Sequence, residues 1–160
     1  MKEEIKYFLI FLSLILVYDL LFTLPPVLLH FGLSADLIYR FFQPVCDQLD
    51  SRSFHIFGYK LAVCSRCASI YYGAALGTII YPLFRPLRDT RLPNPLLAGV
   101  PLAAMIADFS INYIGIGHNT FLSRSITGGV FGLSLAFFIV PVWIAFIKEM
   151  KTKRRLQHEE

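Results

Sequence analysis

Apolar residues fall into four long blocks, running from about Lys6 to Phe31, Leu61 to Phe84, Pro95 to Ile116 and Ser125 to Ile147. A helix rises about 1.5 Å per residue and a bilayer's hydrocarbon core is about 30 Å thick, so about 20 apolar residues cross it. Each block meets that length. The pattern predicts an all-α membrane protein with four transmembrane helices, a single domain over residues 1–160. The first block is longer than the apolar region of a secretory signal, and no small-x-small cleavage site follows it, so it is expected to remain as a helix.

Polar intervals separate the blocks at Gly32–Lys60, Arg85–Asn94 and Gly117–Arg124, and only the first is long enough to hold structure of its own. Within it Ser34 is a candidate N-cap. Leu37, Ile38, Phe41 and Phe42 follow at the helical period, which predicts a short interfacial helix over Ser34–Phe42. A cysteine-rich segment then covers residues 43–67, and a basic tail covers 148–160.

Composition strengthens the membrane reading. Hydrophobic residues make up 56% of the chain and charged residues 16%, against roughly 25% charged in an ordinary soluble domain. The net charge of +4 owes much to Lys148–Arg155, directly after the last apolar block. That placement reads as an orientation signal and a contact for anionic lipid. The remaining basic residues are scattered among apolar segments and form no stripe with interleaved aromatics, so nucleic acid is not expected as a partner. If both termini are cytoplasmic, ten basic residues (Lys2, Lys6, Arg85, Arg88, Arg91, Lys148, Lys151, Lys153, Arg154, Arg155) lie inside and five (Arg40, Arg52, Lys60, Arg66, Arg124) outside. The positive-inside rule favours that choice. It places the first and third intervals on one outer face, where Cys46, His55, Cys64, Cys67, His118 and Arg124 can meet.

All three cysteines lie between Cys46 and Cys67, and the last two form Cys64-Ser65-Arg66-Cys67. A Cys-x-x-Cys at a helix start sets two sulfurs on one face, where they can grip a soft metal ion or close a small reducible disulfide. For a metal, Cys46 supplies a third ligand and His55 or Asp47 a fourth, a set that suits tetrahedral zinc. The plainer alternative is that these cysteines are small hydrophobes, but their clustering beside Arg, His and Asp argues against it.

The runs Cys46-Asp47-Gln48, Ser51-Arg52-Ser53-Phe54, Phe57-Gly58 and Cys64-x-Arg66-Cys67, with Ile70-Tyr71-x-Gly73, resemble the signature of an uncharacterised prokaryotic membrane-protein family, domain-of-unknown-function family 2085. Asp108 and Arg124-Ser125-Ile126-Thr127-Gly128 look like that family's Asp-bearing helix and Arg-x-x-Thr-Gly element. The resemblance covers roughly residues 40 to 135 and implies a multi-pass membrane protein, with no activity attached. Where the family has His after the first Cys, this chain has Asp47; if that His is a ligand elsewhere, Asp47 or His55 must replace it here.

The third block carries Asp108 and Asn112 on one helix face. A carboxylate within a span is costly and generally pairs, with Arg124, Arg66 or His118 as its expected partner. Asp19 in the first block is expected to act as a polar clasp between helices. Gly73-x-x-x-Gly77 and Gly128-x-x-x-Gly132 are close-packing motifs. The pattern therefore supports an outer-face metal or thiol centre, with Arg52, Arg66, Asp108, Asn112, His118 and Arg124 around it. Two other classes stay open: a thiol-disulfide oxidoreductase using Cys64 and Cys67, and a lipid-handling enzyme or small transporter built on Asp108 and Arg124.

Overall fold

The computed structural model describes residues 2–114 and 120–158. Helix α1 runs Lys2–His30, α2 Asp36–Phe42, α3 Ser65–Phe84, α4 Leu96–Tyr113 and α5 Phe121–His158; strands β1 (Ser53–Ile56) and β2 (Tyr59–Cys64) lie between α2 and α3. Among the described residues three helices, α1, α3 and α5, are long and apolar enough to cross a membrane. The apolar stretch of α4 is shorter among the described residues, where the helix in the expected block from Pro95 to Ile116 is Leu96–Tyr113; residues 115 and 116 lie outside the described residues.

Helices α3 and α5 form the tightest seam, and glycine explains it. A Cβ added at Gly73 would lie 2.2 Å from the Gly129 carbonyl oxygen, and one at Gly132 would lie 1.9 Å from that of Ile70. Both are far inside van der Waals contact, so the backbones approach as they do only because these positions lack side chains. The two expected glycine motifs thus meet each other. Pro25, Pro26, Pro82, Pro101 and Pro141 all lie inside helices that continue through them.

Two buried clusters sit at opposite ends of the bundle. Near the chain termini, Tyr7, Phe8, Tyr81, Val140 and Ile144 pack together, and the Trp143 indole N–H donates to the Tyr7 carbonyl at 3.0 Å. At the other end, Phe22, Phe42, Leu61, Ala62, Val63 and Ala68 pack around Cys46. Outside these clusters α1 presents Leu14, Val17 and Leu20 more than half exposed, which suits a lipid-facing surface rather than water.

Two expectations at the cysteine end need correction. The interfacial helix starts at Asp36 with Ala35 in the capping position; Ser34 instead accepts a hydrogen bond from the Asp36 N–H at 3.4 Å. The second block does not begin as helix. Leu61–Cys64 is the end of β2, which pairs antiparallel with β1 through His55 and Lys60 and through Ile56 and Tyr59. The hairpin turns at Phe57 and Gly58, with φ of 53° and 80°, the positive pair a two-residue hairpin loop requires. Leu61, Ala62 and Val63 are all buried, so their apolar run lacks the alternation that marks a half-exposed strand and merges in the sequence with the helix that follows.

Candidate functional site

Each cysteine is delivered by a different local device. Cys46 follows α2, its N–H donating to the Phe42 carbonyl at 3.1 Å as if the helix ran on one more turn. Gln48, with φ of 51°, then turns the chain. It is buried, and its Nε2 donates to the Tyr39 carbonyl at 2.7 Å; the Lys60 ammonium donates to the Gln48 carbonyl at 2.8 Å, and the Tyr39 hydroxyl to the Lys60 carbonyl at 2.6 Å. These bonds hold α2, the turn and the hairpin as one piece and offset the cost of a left-handed residue. Cys64 ends β2 as the N-cap residue of α3, and Cys67 lies in the first turn of that helix.

The three sulfurs converge. All lie within 4.8 Å of one another, and all three thiols are free. Cys46 is 8% exposed, and its sulfur accepts the Cys64 backbone N–H at 3.1 Å. Hydrogen bonds from the Cys46 and Cys67 side chains hold the Cys64 thiol far below its ordinary value, favouring a thiolate there. The same bond to Cys64 raises Cys46, which keeps its proton as the donor. A cluster of this kind could hold a metal ion: three soft donors converge on one point, the pattern that zinc and related ions select.

Beside the sulfurs opens a cavity of about 320 Å³. Asp47, Arg52, Arg66, Arg124 and Phe109 line it together with the three cysteines. Arg66 forms an ion pair with Asp108 on α4, both largely buried, and lies over the Phe109 ring at 5.8 Å from its centroid. The expected partnering of Asp108 with an arginine is met through Arg66, and Arg124 lines the same cavity from the first turn of α5.

The candidates separate into two groups. Cys46, Cys64, Cys67, Asp47, Arg52, Arg66 and Arg124 share one cavity, with Asp108 behind it. His55 stands apart on β1, exposed, its Nε2 3.2 Å from the Asp50 carboxylate, and is not among the clustered ligand atoms. Asn112 lies on α4, and His118 lies outside the described residues. Asp19 does not provide the expected clasp: it is buried and its Oδ1 has no hydrogen-bond partner among the described residues. Thr23 joins α1 to α3 instead, with its hydroxyl 2.6 Å from that of Tyr72.

The sequence profile of domain-of-unknown-function family 2085, described as a predicted membrane protein, matches residues 46–138. An uncharacterised protein of Methanocaldococcus jannaschii is 34% identical over 149 residues, covering 89% of this chain and 96% of that relative. The chain belongs to this membrane-protein family. The family match opens on Cys46 and takes in the hairpin, Cys64, Cys67, Asp108 and Arg124, while α1 and the basic end of α5 fall outside it. No solved structure matches the chain.

Gln48, Tyr39 and Phe109 were not singled out by chemical type. Gln48 belongs to the family-like run, but its use as a buried bracket depends on Lys60 and Tyr39, distant in sequence. Phe109 carries no chemical mark in the sequence, and its place over Arg66 and on the cavity wall comes from the packing of α4.

Proposed function

We propose that this protein is a multi-pass membrane protein that holds a zinc-like ion at one end of its helix bundle, with Cys46, Cys64 and Cys67 as ligands. The observation that carries this reading is the convergence of the three sulfurs within 4.8 Å. A redox pair needs only Cys64 and Cys67; a third thiol drawn in from a separate element, and buried there, favours a three-sulfur site. Asp47 is the better fourth ligand because it lines the same cavity, whereas His55 is engaged with Asp50. When bound, such an ion would supply Lewis acidity beside the cavity. The chain's own groups would position what enters: the guanidiniums of Arg52, Arg66 and Arg124 would orient an anionic group, and the Arg66–Asp108 pair would keep α4 closed over the site.

In this reading α4 is the fourth span. The reach of its Asp108 to Arg66 at the cysteine end supports a return across the bundle, and the excess of Lys and Arg at the other end supports cytoplasmic termini with the cysteine end outward. The basic end of α5 would meet anionic lipid on the cytoplasmic side, although Lys148 and Lys151 also pair with Glu4 and Glu3.

Metal analysis of the reduced, detergent-purified protein, with a thiol count before and after chelation, tests the centre. One ion per chain is expected, lost in Cys46→Ser, with three thiols becoming reactive after chelation. A metal-free protein with a Cys64–Cys67 disulfide and one reactive thiol would replace this reading with the redox one. For orientation, a membrane-impermeant thiol reagent should label intact cells after reduction and chelation; labelling only after lysis would reverse the topology.

A further inference from the structure

Like charges have gathered around this cavity. Arg52 ends the short 3-10 turn at Asp50–Arg52, Arg66 lies in the first turn of α3, and Arg124 in the first turn of α5. Neither helix carries an acidic residue in that turn. A helix N-terminus bears a partial positive charge and disfavours a cation there, so two arginines are placed against the local field as well as near each other. Asp108 answers one guanidinium, and Asp47 is the carboxylate on the cavity wall. Arg66 uses Nη2 for Asp108, while its buried Nε has no hydrogen-bond partner among the described residues.

We infer that the cavity binds a phosphate group, held by Arg52, Arg66 and Arg124 next to the cysteine cluster and carried either on a lipid headgroup or on a free phosphate compound. The inference rests on the proposed function in taking the same cavity as the working site. Phosphate fits because three guanidinium forks offer more donors than the two oxygens of a carboxylate can accept, and because Arg matches phosphate oxygens bidentately. The N-terminal ends of α3 and α5 add positive potential on that side of the cavity. Val45, Leu49 and Phe109 line the cavity and are each about half exposed, so its wall joins a charged floor to an apolar mouth.

The test uses the full chain in detergent, with zinc content measured on every sample. Inorganic phosphate is titrated calorimetrically, and retention of phosphatidic acid against phosphatidylcholine is read by native mass spectrometry. Binding of phosphatidic acid without inorganic phosphate assigns the lipid source, and binding of inorganic phosphate assigns the free one. In either arm, Arg52→Gln and Arg124→Gln should each weaken binding by about tenfold or more, with Arg124→Lys recovering part of the loss and zinc content unchanged. Arg52 is exposed, so its variant should fold as the parent does. Zinc-loaded protein that binds neither probe, or binding indifferent to all three variants, overturns the inference and leaves the metal centre standing. Zinc-free protein whose phosphate binding still depends on the arginines supports the anion site and removes the metal reading.

Discussion

The two ends of this bundle each hold a buried cluster of aromatic and aliphatic side chains but treat charge and sulfur differently. At the end holding the termini, charges sit beside opposite charges: Lys148 and Glu4 at 3.1 Å, Arg85 and Asp89 at 2.6 Å, and Lys151 with Glu3. At the other end, three thiols crowd together and three arginines line one cavity against a single lining carboxylate. Crowded thiols and like charges beside a cavity depart from local electrostatic consistency, which is the arrangement the proposed function uses. The contrast supports the proposed reading of the cysteine end as the binding end from geometry alone.

The largest expected break in that contrast comes from Asp108→Asn. It strands Arg66, a cation only 16% exposed, and removing one partner of a buried pair costs about 3 kcal/mol or more. Thermal unfolding in detergent should show it, and Arg66→Met combined with Asp108→Leu should recover much of the loss. An unchanged midpoint in the single variant would mean that the pair does not hold α4.

Gly73→Ala tests the seam that joins the two ends. The added methyl meets the Gly129 carbonyl oxygen, and overpacking of this kind costs about 1–3 kcal/mol. Gly99→Ala is its control, because nothing lies within 4 Å of that position; the helix propensity of Ala should make it neutral or slightly stabilising.

Gln48→Ala should act more locally. Losing the donor to the Tyr39 carbonyl costs about 1 kcal/mol, and hydrogen exchange should quicken across the hairpin while amides around Tyr7 and Trp143 keep their rates. Uniform quickening would show that the two ends are not independent. The smallest effect belongs to the terminal end: Glu3→Gln with Lys151→Gln should leave the melting midpoint unchanged, since an exposed ion pair is screened by water and salt.

Much of this was legible in the sequence because bilayer thickness and helix rise turn hydropathy directly into spans, and because Cys-x-x-Cys at a helix start fixes two sulfurs on one face. The convergence of Cys46 was an expectation from the long interval, and the structure supplies its cause in the Tyr39–Gln48–Lys60 bracket. The hairpin was hidden because Leu61–Val63 is buried throughout, leaving an apolar run with no period of two. The choice between the two proposed fourth ligands turns on geometry that spacing does not contain: His55 and Asp47 are both near Cys46 in sequence, but β1 carries His55 toward Asp50 while Asp47 stays on the cavity wall.

The central claim is that the three cysteines act together on one ion, and X-ray absorption at the zinc edge of the reduced, zinc-loaded protein tests it most directly. The account predicts three sulfurs at about 2.3 Å and one oxygen at about 2.0–2.2 Å, falling to two sulfurs in Cys46→Ser if any metal remains. A shell of oxygen and nitrogen alone, or one with two sulfurs that Cys46→Ser leaves unchanged, would contradict it.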